Sequence, residues 1–407
     1  MDNIVHQRSD YTFKYNSKLG RHGWLRLTPA YSVKLVGEII ENFPKESYVL
    51  DPFSGTATTG LVSAEKGLNA NLFDINPFLI WLGNSKCKKY TSREIENIHK
   101  DISVAIENLP LYLEQENWTP NIHNIERWWC KHTLTVLAAF RASLVESIGE
   151  TRDENTNPLA WIAFCRLIIE TSSAAFNHVS MSFSDSVITF ESKQIIELYL
   201  EIFSAISESA KLKVSGNALV ILNDARNPKG IKSRKYSHVV TSPPYSNRIS
   251  YIRELRPYMY WMGFINEARE AGELDWEAIG GTWGVATSRL ADWKTDRKDL
   301  PNSLLSTVKE ILESDNKNSH LMSQYVYKYF HDMHIHFDNL KKFLKKDAEI
   351  YYIVGNSTFY GTQVHSEKLY EESLNILGYS NISNKIVRKR NCKKELYEYC
   401  VSAIWSN

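Results

Sequence analysis

The chain of 407 residues lacks several features that would fix its class at once. Its 48 basic and 47 acidic side chains leave a formal net charge of +1, so any nucleic-acid surface must be local. It has no uncharged apolar run near the roughly 18 residues needed to cross a bilayer, and residues 1–10 lack the apolar core of a signal peptide. We therefore expect a cytoplasmic protein without a membrane segment.

Cysteine is also scarce. The five cysteines are odd in number, widely spaced and without a CxxC pair, which argues against a disulfide framework or a zinc site. Three histidines at 331–336 have no cysteine nearby, so we expect no metal site. The motifs GxGxxG and GxxxxGK[ST] are absent, which disfavours dinucleotide binding and P-loop phosphate binding.

What the chain does have is a series of short β-branched and aromatic runs, each followed by polar, glycine or proline residues. Such runs predict buried strands. They lie at residues 47–50, 70–73, 218–222, 238–240, 348–354, 385–390 and 396–403. Because helical patterns separate most of them, we expect an α/β fold whose mostly parallel sheet closes with an antiparallel hairpin of the last two strands.

Two stretches interrupt this alternation. Between residues 91 and 213 glycine and proline are sparse and apolar residues recur every three or four positions, which predicts about four helices. Residues 263–320 carry glycines, tryptophans and mixed charge. The sequence therefore predicts one α/β domain in three parts, with a helical insertion and a second insertion between them. The parts are residues 1–90, 214–262 and 321–407, and the insertions are 91–213 and 263–320.

Acidic residues end three of the predicted strands. Asp51 opens a turn of small residues, the glycine loop (residues 51–60), where a ligand can approach the backbone closely. Asp74 ends the next strand, and a carboxylate there can hold both hydroxyls of a ribose. Asp224 ends the third, where an adenine amine could bind. An isolated Asp74 would more often cap a turn, but its spacing from the glycine loop favours the ligand role.

The most specific pattern is Thr241-Ser242-Pro243-Pro244-Tyr245, the proline loop (residues 241–245), which follows a predicted strand. Prolines have no N–H, so their rigid backbone can present carbonyl oxygens as acceptors. The tyrosine offers a flat face on which a base can stack. Taken alone, a simple Pro-Pro turn explains the pattern about equally well.

Together these residues resemble the S-adenosylmethionine-dependent DNA amino methyltransferases, which methylate the exocyclic amine of cytosine or adenine. The resemblance implies a Rossmann-like class I methyltransferase fold with a seven-stranded sheet. It assigns catalysis to Ser242, Pro243, Pro244 and Tyr245. It assigns cofactor binding to Thr28, Pro29, Asp51, Pro52, Phe53, Gly55, Thr56, Ala57, Thr58, Asp74, Ile75, Asn76, Asp224, Ala225 and Thr241. Two departures are Ala57, where glycine is usual, and the 150 residues between Asp74 and Asp224, where the family has a few dozen.

Serine before Pro-Pro-Tyr is more typical of cytosine-N4 enzymes, so the resemblance favours cytosine N4 as the target. Adenine N6, an RNA guanine-N2 methyltransferase and a non-catalytic DNA-binding subunit with a methyltransferase fold are the alternatives. The resemblance implies S-adenosyl-L-methionine as cofactor and double-stranded DNA as partner, with a flipped base. It also raises a restriction-modification role beside a cognate restriction endonuclease.

Contacts to DNA are predicted from local basic clusters, because the net charge is near zero. Five cations lie within residues 226–235, six lie within 385–394, and three arginines follow the proline loop. The residues singled out are Arg226, Lys229, Arg248, Arg253, Arg256, Arg388, Lys389 and Arg390. A solvated surface explains either cluster about as well, and the second insertion and the helical insertion are equal candidates for target recognition.

Overall fold

The computed structural model describes residues 6–25, 27, 30–153, 155–175, 182–183, 188–233, 235–282, 284–390 and 395–406. The predicted cofactor contacts Thr28 and Pro29 lie outside these described residues, as does the basic turn at 391–394.

The described strands form one large sheet and two small hairpins. They are β1 (Tyr48–Asp51), β2 (Asn69–Asp74), β3 (Ala174–Ala175), β4 (Ser182–Phe183), β5 (Asn217–Leu222), β6 (Tyr236–Thr241), β7 (Leu344–Gly355), β8 (Ser357–Phe359), β9 (Thr362–Val364), β10 (Ser380–Lys389) and β11 (Tyr397–Trp405). The large sheet has the order β5-β2-β1-β6-β7-β11-β10. Neighbouring strands from β5 to β7 are parallel, and β11 runs antiparallel to both β7 and β10. The predicted seven-stranded sheet with its closing antiparallel hairpin is confirmed.

Helices join the strands and cover the sheet. They are α1 (Phe13–Asn16), α2 (Val33–Ile40), α3 (Thr58–Glu65), α4 (Pro77–Cys87), α5 (Ser92–Leu113), α6 (Lys131–Ile148), α7 (Pro158–Glu170), α8 (Ser192–Ala210), α9 (Tyr251–Trp261), α10 (Ala268–Glu277), α11 (Val285–Ala291), α12 (Asn302–Leu312), α13 (Ser319–Leu340) and α14 (Ser366–Ile376). Within the described chain, no helix is long and apolar enough to cross a membrane.

Side chains alternate across the sheet, so each face has its own core. Val49 of β1 packs with α2 and α3 on one face. Leu50, the next residue, packs with α13 and α14 on the other. This sandwich fixes the register of β1, because a slip of one residue would exchange the two faces.

Between α4 and β5 lie the four long helices α5 to α8, and they form a third core with α4 and α9. Trp129, Trp161 and Trp261 are fully buried in it. Arg21 ties these helices to the start of the chain. Its buried guanidinium donates to backbone carbonyls at the ends of α4 and α8, including those of Lys86 at 3.0 Å and Leu212 at 2.9 Å.

Candidate active site

The carboxyl ends of β1, β2, β5 and β6 open onto a cavity of about 700 Å³. Carboxyl ends of parallel strands meet at one edge of a sheet, so loops far apart in the sequence come together there. The predicted cofactor-binding and catalytic residues on its wall are Pro52, Phe53, Gly55, Thr56, Asp74, Ile75, Asn76, Asp224, Ala225, Ser242, Pro243, Pro244 and Tyr245, and two predicted DNA contacts, Arg388 and Arg390, also line it. The structure thus gathers most of the predicted cofactor residues and all four predicted catalytic residues around one space.

Four predicted cofactor residues lie behind this wall: Asp51, Ala57, Thr58 and Thr241 are buried and do not line the cavity. The Asp51 carboxylate accepts hydrogen bonds from the Thr241 hydroxyl at 2.5 Å and from the Phe53 N–H at 3.0 Å. Burial raises the pKa of Asp51 to about 6. Asp51 therefore joins the glycine loop to the end of β6 and acts as framework for the site.

Ala57 stands where the family that this chain resembles usually has glycine, and its backbone conformation is unfavourable for a residue with a side chain. Its φ of 59° lies in the left-handed region, immediately before α3. A side chain there costs about 1 kcal/mol relative to glycine. Ala57 thus adopts a backbone conformation that a glycine would reach at lower cost.

Asp74 is one of the acidic residues that line the cavity. One carboxylate oxygen accepts from the Gly55 N–H at 3.0 Å, and the other accepts from the Asn76 N–H at 2.9 Å. Burial raises the pKa of Asp74 to about 7, against the lowering effect of these bonds. Each carboxylate oxygen keeps a further acceptor position, so the group can receive two hydroxyl donors.

Asp224 reaches the cavity but is already engaged. Arg226 donates hydrogen bonds to the Asp224 carboxylate from Nε at 3.0 Å and from Nη2 at 2.8 Å. The same guanidinium bonds Asp332 at 3.1 Å and the Glu277 carbonyl at 2.6 Å. Arg226, predicted to contact DNA, is only 20% exposed, and its guanidinium forms hydrogen bonds within the protein.

The proline loop presents acceptors to the cavity. The Ser242 hydroxyl donates a hydrogen bond to the Ile353 carbonyl at 3.1 Å, and its Oγ can itself accept a hydrogen bond. The Tyr329 hydroxyl occupies the Pro244 carbonyl at 2.7 Å. Among the described turns and loops, no backbone N–H donates to the Pro243 carbonyl. Ser242 Oγ and the Pro243 carbonyl are therefore two acceptors that the proline loop can offer on the cavity wall.

The predicted DNA-contacting cations differ in their exposure and in their partners. Lys229, Arg248 and Arg253 are exposed. Arg388 forms an ion pair with Glu398 at 2.8 Å, and Lys389 forms one with Glu395 at 3.2 Å.

The remaining two predicted cations, Arg256 and Arg390, are half-buried. Burial lowers the pKa of Arg256. Arg390 donates to the Asn356 carbonyl at 2.7 Å. The three exposed side chains are thus the better placed of the set to meet a phosphate backbone.

Sequence reasoning missed the segment at residues 7–14, most of which lines the cavity. Asp10 anchors it through ion pairs of 2.7 Å to both Arg8 and Lys34. The Ser32 hydroxyl adds a bond of 2.8 Å to the Asp10 carbonyl. No motif marks this segment, so only the fold could place it.

Sequence reasoning also missed Lys86, although a lysine within an otherwise apolar helix indicates a buried cation with a specific partner. Its ammonium is buried beneath the glycine loop and donates to the Thr56 carbonyl at 2.6 Å. Burial lowers the pKa of Lys86 to about 8. The lysine therefore fixes the backbone of a loop that lines the cavity.

A comparison with known families matches residues 33–209 to a model described as D12 class N6 adenine-specific DNA methyltransferase. This range holds the glycine loop, Asp74 and helices α5 to α8, and it ends before the proline loop.

Curated relatives are Type II methyltransferases. M.BsoBI of Geobacillus stearothermophilus is 26% identical over 294 residues, covering 64% of this chain and 57% of the relative. M.AvaI of a Nostoc strain is 22% identical over 411 residues, covering 92% and 82%. M.MvaI of Kocuria varians is 19% identical over 339 residues, covering 77% and 71%. The match thus spans little more than half of M.BsoBI. The description of the matched family names adenine N6, whereas the resemblance of the proline loop favours cytosine N4.

Proposed function

We propose that this protein transfers a methyl group from S-adenosyl-L-methionine to the exocyclic amine of a base in DNA. The observation that carries the proposal is one cavity with two kinds of acceptor on its wall. Asp74 offers a carboxylate suited to a ribose, and Ser242 and Pro243 offer a neutral pair suited to an amine. The family and the Type II relatives support the same chemistry.

The cofactor fits the residues present. Asp74 has acceptor capacity for two hydroxyls, and the apolar side chains of Phe53, Ile75 and Leu79 line the cavity around it, as an adenine ring requires. A cavity of about 700 Å³ is wide enough for a cofactor and a base together. When bound, the cofactor supplies an electrophilic methyl group on a sulfonium.

The protein must make the amine a better nucleophile, because its lone pair is conjugated into the ring of the base. Ser242 Oγ and the Pro243 carbonyl accept the two amine hydrogens and favour a more tetrahedral nitrogen. These acceptors are fixed before the reaction, so they stabilise the transition state without reorganising. Tyr245 stacks on the base and holds it in line for direct transfer, after which the methylated amine would lose one proton to water and S-adenosylhomocysteine would leave as the second product.

The base must leave the helix to reach this cavity, at a cost of a few kcal/mol that stacking and hydrogen bonds offset. Arg248 and Arg253 are exposed around the start of α9, just after the proline loop. From there they are placed to hold phosphates beside the flipped nucleotide.

Two target atoms remain as candidates, each with its own support. The family match favours adenine N6, but it covers residues 33–209 and so does not include the loop that contacts the amine. Ser242 favours cytosine N4 through the resemblance of the proline loop.

The test is mass spectrometry of nucleosides after incubation with isotopically labelled S-adenosyl-L-methionine. The substrates are duplex genomic DNA from a strain without methylation and total RNA. We expect label in N6-methyladenine or N4-methylcytosine from DNA, with loss of label in Ser242→Ala. Ser306→Ala, an exposed serine on α12, is the matched control and should retain full activity. Label in RNA alone, or cofactor binding without any transfer, would refute the proposal.

A further inference from the structure

The Tyr245 side chain is tethered at its hydroxyl end by a strand remote in sequence. Its phenol donates to the carboxylate of Glu398 on β11 at 2.7 Å. Glu398 is only 4% exposed, and a buried carboxylate is costly unless it is paired. Burial, with the Glu398 charge adding to it, keeps the pKa of Tyr245 well above its usual value. The phenol therefore stays protonated and acts as the donor.

Arg388 completes the pairing. It lies opposite Glu398 on the neighbouring strand β10 and donates from Nε at 2.8 Å and from Nη2 at 3.1 Å. One carboxylate oxygen thus receives Tyr245 and Arg388, and the other receives Arg388. With both oxygens occupied, Glu398 is poorly placed to accept a proton from the substrate, which argues against a general-base role.

Arg390 holds the same ring from one side. Its guanidinium carbon lies 5.0 Å from the centroid of the Tyr245 ring, and it is fixed by the Asn356 carbonyl at 2.7 Å. Gly355 makes this approach possible. A Cβ at Gly355 would lie 2.1 Å from the Arg390 guanidinium and 2.9 Å from the Tyr245 ring. The ring is therefore fixed at its hydroxyl and on one face.

We propose that Glu398, held by Arg388, is a positioning residue that fixes the Tyr245 ring in the orientation in which the flipped base stacks on it. This inference rests on the proposed function. It gives Arg388, which the sequence alone assigned to DNA phosphate, a role inside the protein. It also explains why a carboxylate is buried at the end of β11 beside a cavity meant for a base.

The test is the single-turnover rate of methylation at saturating DNA and cofactor, together with cofactor affinity. Tyr245→Phe removes only the phenol hydroxyl, whereas Glu398→Ala removes the carboxylate that accepts from this hydroxyl and from Arg388. Each should slow transfer roughly ten-fold, the loss expected for a hydrogen bond to a charged group, without changing cofactor affinity. The double variant should be no slower than either single one, because both remove the same bond. Glu398→Gln keeps an acceptor and should restore most of the rate.

Glu395→Ala is the matched control. Glu395 lies near the same end of the hairpin and also pairs with a cation, Lys389, and with a tyrosine hydroxyl, that of Tyr397, but it does not contact the proline loop. Its loss should leave the single-turnover rate unchanged.

A second readout does not depend on activity. The ¹⁹F resonance of 3-fluorotyrosine at position 245 should shift or broaden in Glu398→Ala and stay unchanged in Glu395→Ala. If folded Glu398→Ala protein shows an unchanged single-turnover rate and an unchanged ¹⁹F resonance, Glu398 serves only to pair with Arg388 across the strands, and the inference is overturned. Effects of the two single variants that multiply would also overturn it. An inactive wild-type protein would instead refute the proposed function, which the labelling experiment detects separately.

Discussion

Lowering the pH should weaken cofactor binding through one group, the Asp74 carboxyl. Its pKa is raised to about 7 by burial in the cavity wall. The bound ribose would donate hydroxyl hydrogens to this carboxylate, and donors to the charged form lower its pKa. Binding therefore favours the deprotonated state, and affinity is full above pH 7 and falls as the pH drops below it.

The size of the effect follows from linkage. For a free-protein pKa of about 7 and a carboxyl that stays ionised in the complex, the apparent Kd should rise about 25-fold between pH 7.5 and pH 5.5. That corresponds to about 2 kcal/mol of binding free energy. Near the lower end of this range the slope approaches one decade per pH unit, since one proton is released per cofactor bound.

The assay is isothermal titration calorimetry with S-adenosylhomocysteine, which binds without turnover, and circular dichroism confirms the fold at each pH. Asp74→Asn should bind weakly and without pH dependence. Asp51→Asn is the matched control, since Asp51 is a buried acid of raised pKa that does not line the cavity, and this variant should keep the slope. A flat wild-type profile, or a slope that persists in Asp74→Asn, would refute the assignment of Asp74 to the ribose.

Three further tests address other parts of the site. Ser242→Ala should slow single-turnover methylation by roughly one hundred-fold with unchanged cofactor affinity, and equal losses of both would contradict its role at the amine. Lys86→Met removes the bond to the Thr56 carbonyl, so it should weaken cofactor binding several-fold and lower the Tm. Unchanged binding would leave Lys86 a purely structural residue. Arg248→Ala and Arg253→Ala should each reduce the slope of log Kd for DNA against log salt by about one, and an unchanged slope would place the phosphate contacts elsewhere.

The sheet could be predicted because its signal is local. Each strand of a mostly buried sheet is a short apolar run that ends at a polar turn, and the carboxyl ends of parallel strands meet by geometry alone. Asp74 and Ser242 could be placed at one edge on that basis, and they do line one cavity. The strands are longer than predicted at several ends, as in β7 (Leu344–Gly355), because polar residues at the sheet edge still pair through their backbone.

The partners of charged side chains could not be predicted, because they depend on contacts between distant residues. Arg388 and Lys389 read as a basic cluster, yet acids on or beside the facing strand neutralise both. Arg226 also belongs to a basic cluster in the sequence, yet it pairs with Asp332, which lies 106 residues further along the chain. Asp51 was predicted to bind the cofactor from its position after a strand, but only the fold shows that its carboxylate points to Thr241 behind the wall.

The two halves of the site come from different parts of the chain and meet only through the sheet. Gly55 and Asp74 lie within the range that the family match covers, whereas the amine acceptors and the Tyr245 tether lie beyond it. Under the proposed function, the family match therefore covers the half assigned to the methyl donor, whereas the proposed base contacts come from the proline loop and the ends of β7 and β11. At that end the Ser242 hydroxyl proton is held by the Ile353 carbonyl. A carboxylate at position 242 would bring its negative oxygen to that carbonyl with no proton between them, so the backbone of β7 is suited to a hydroxyl at this position.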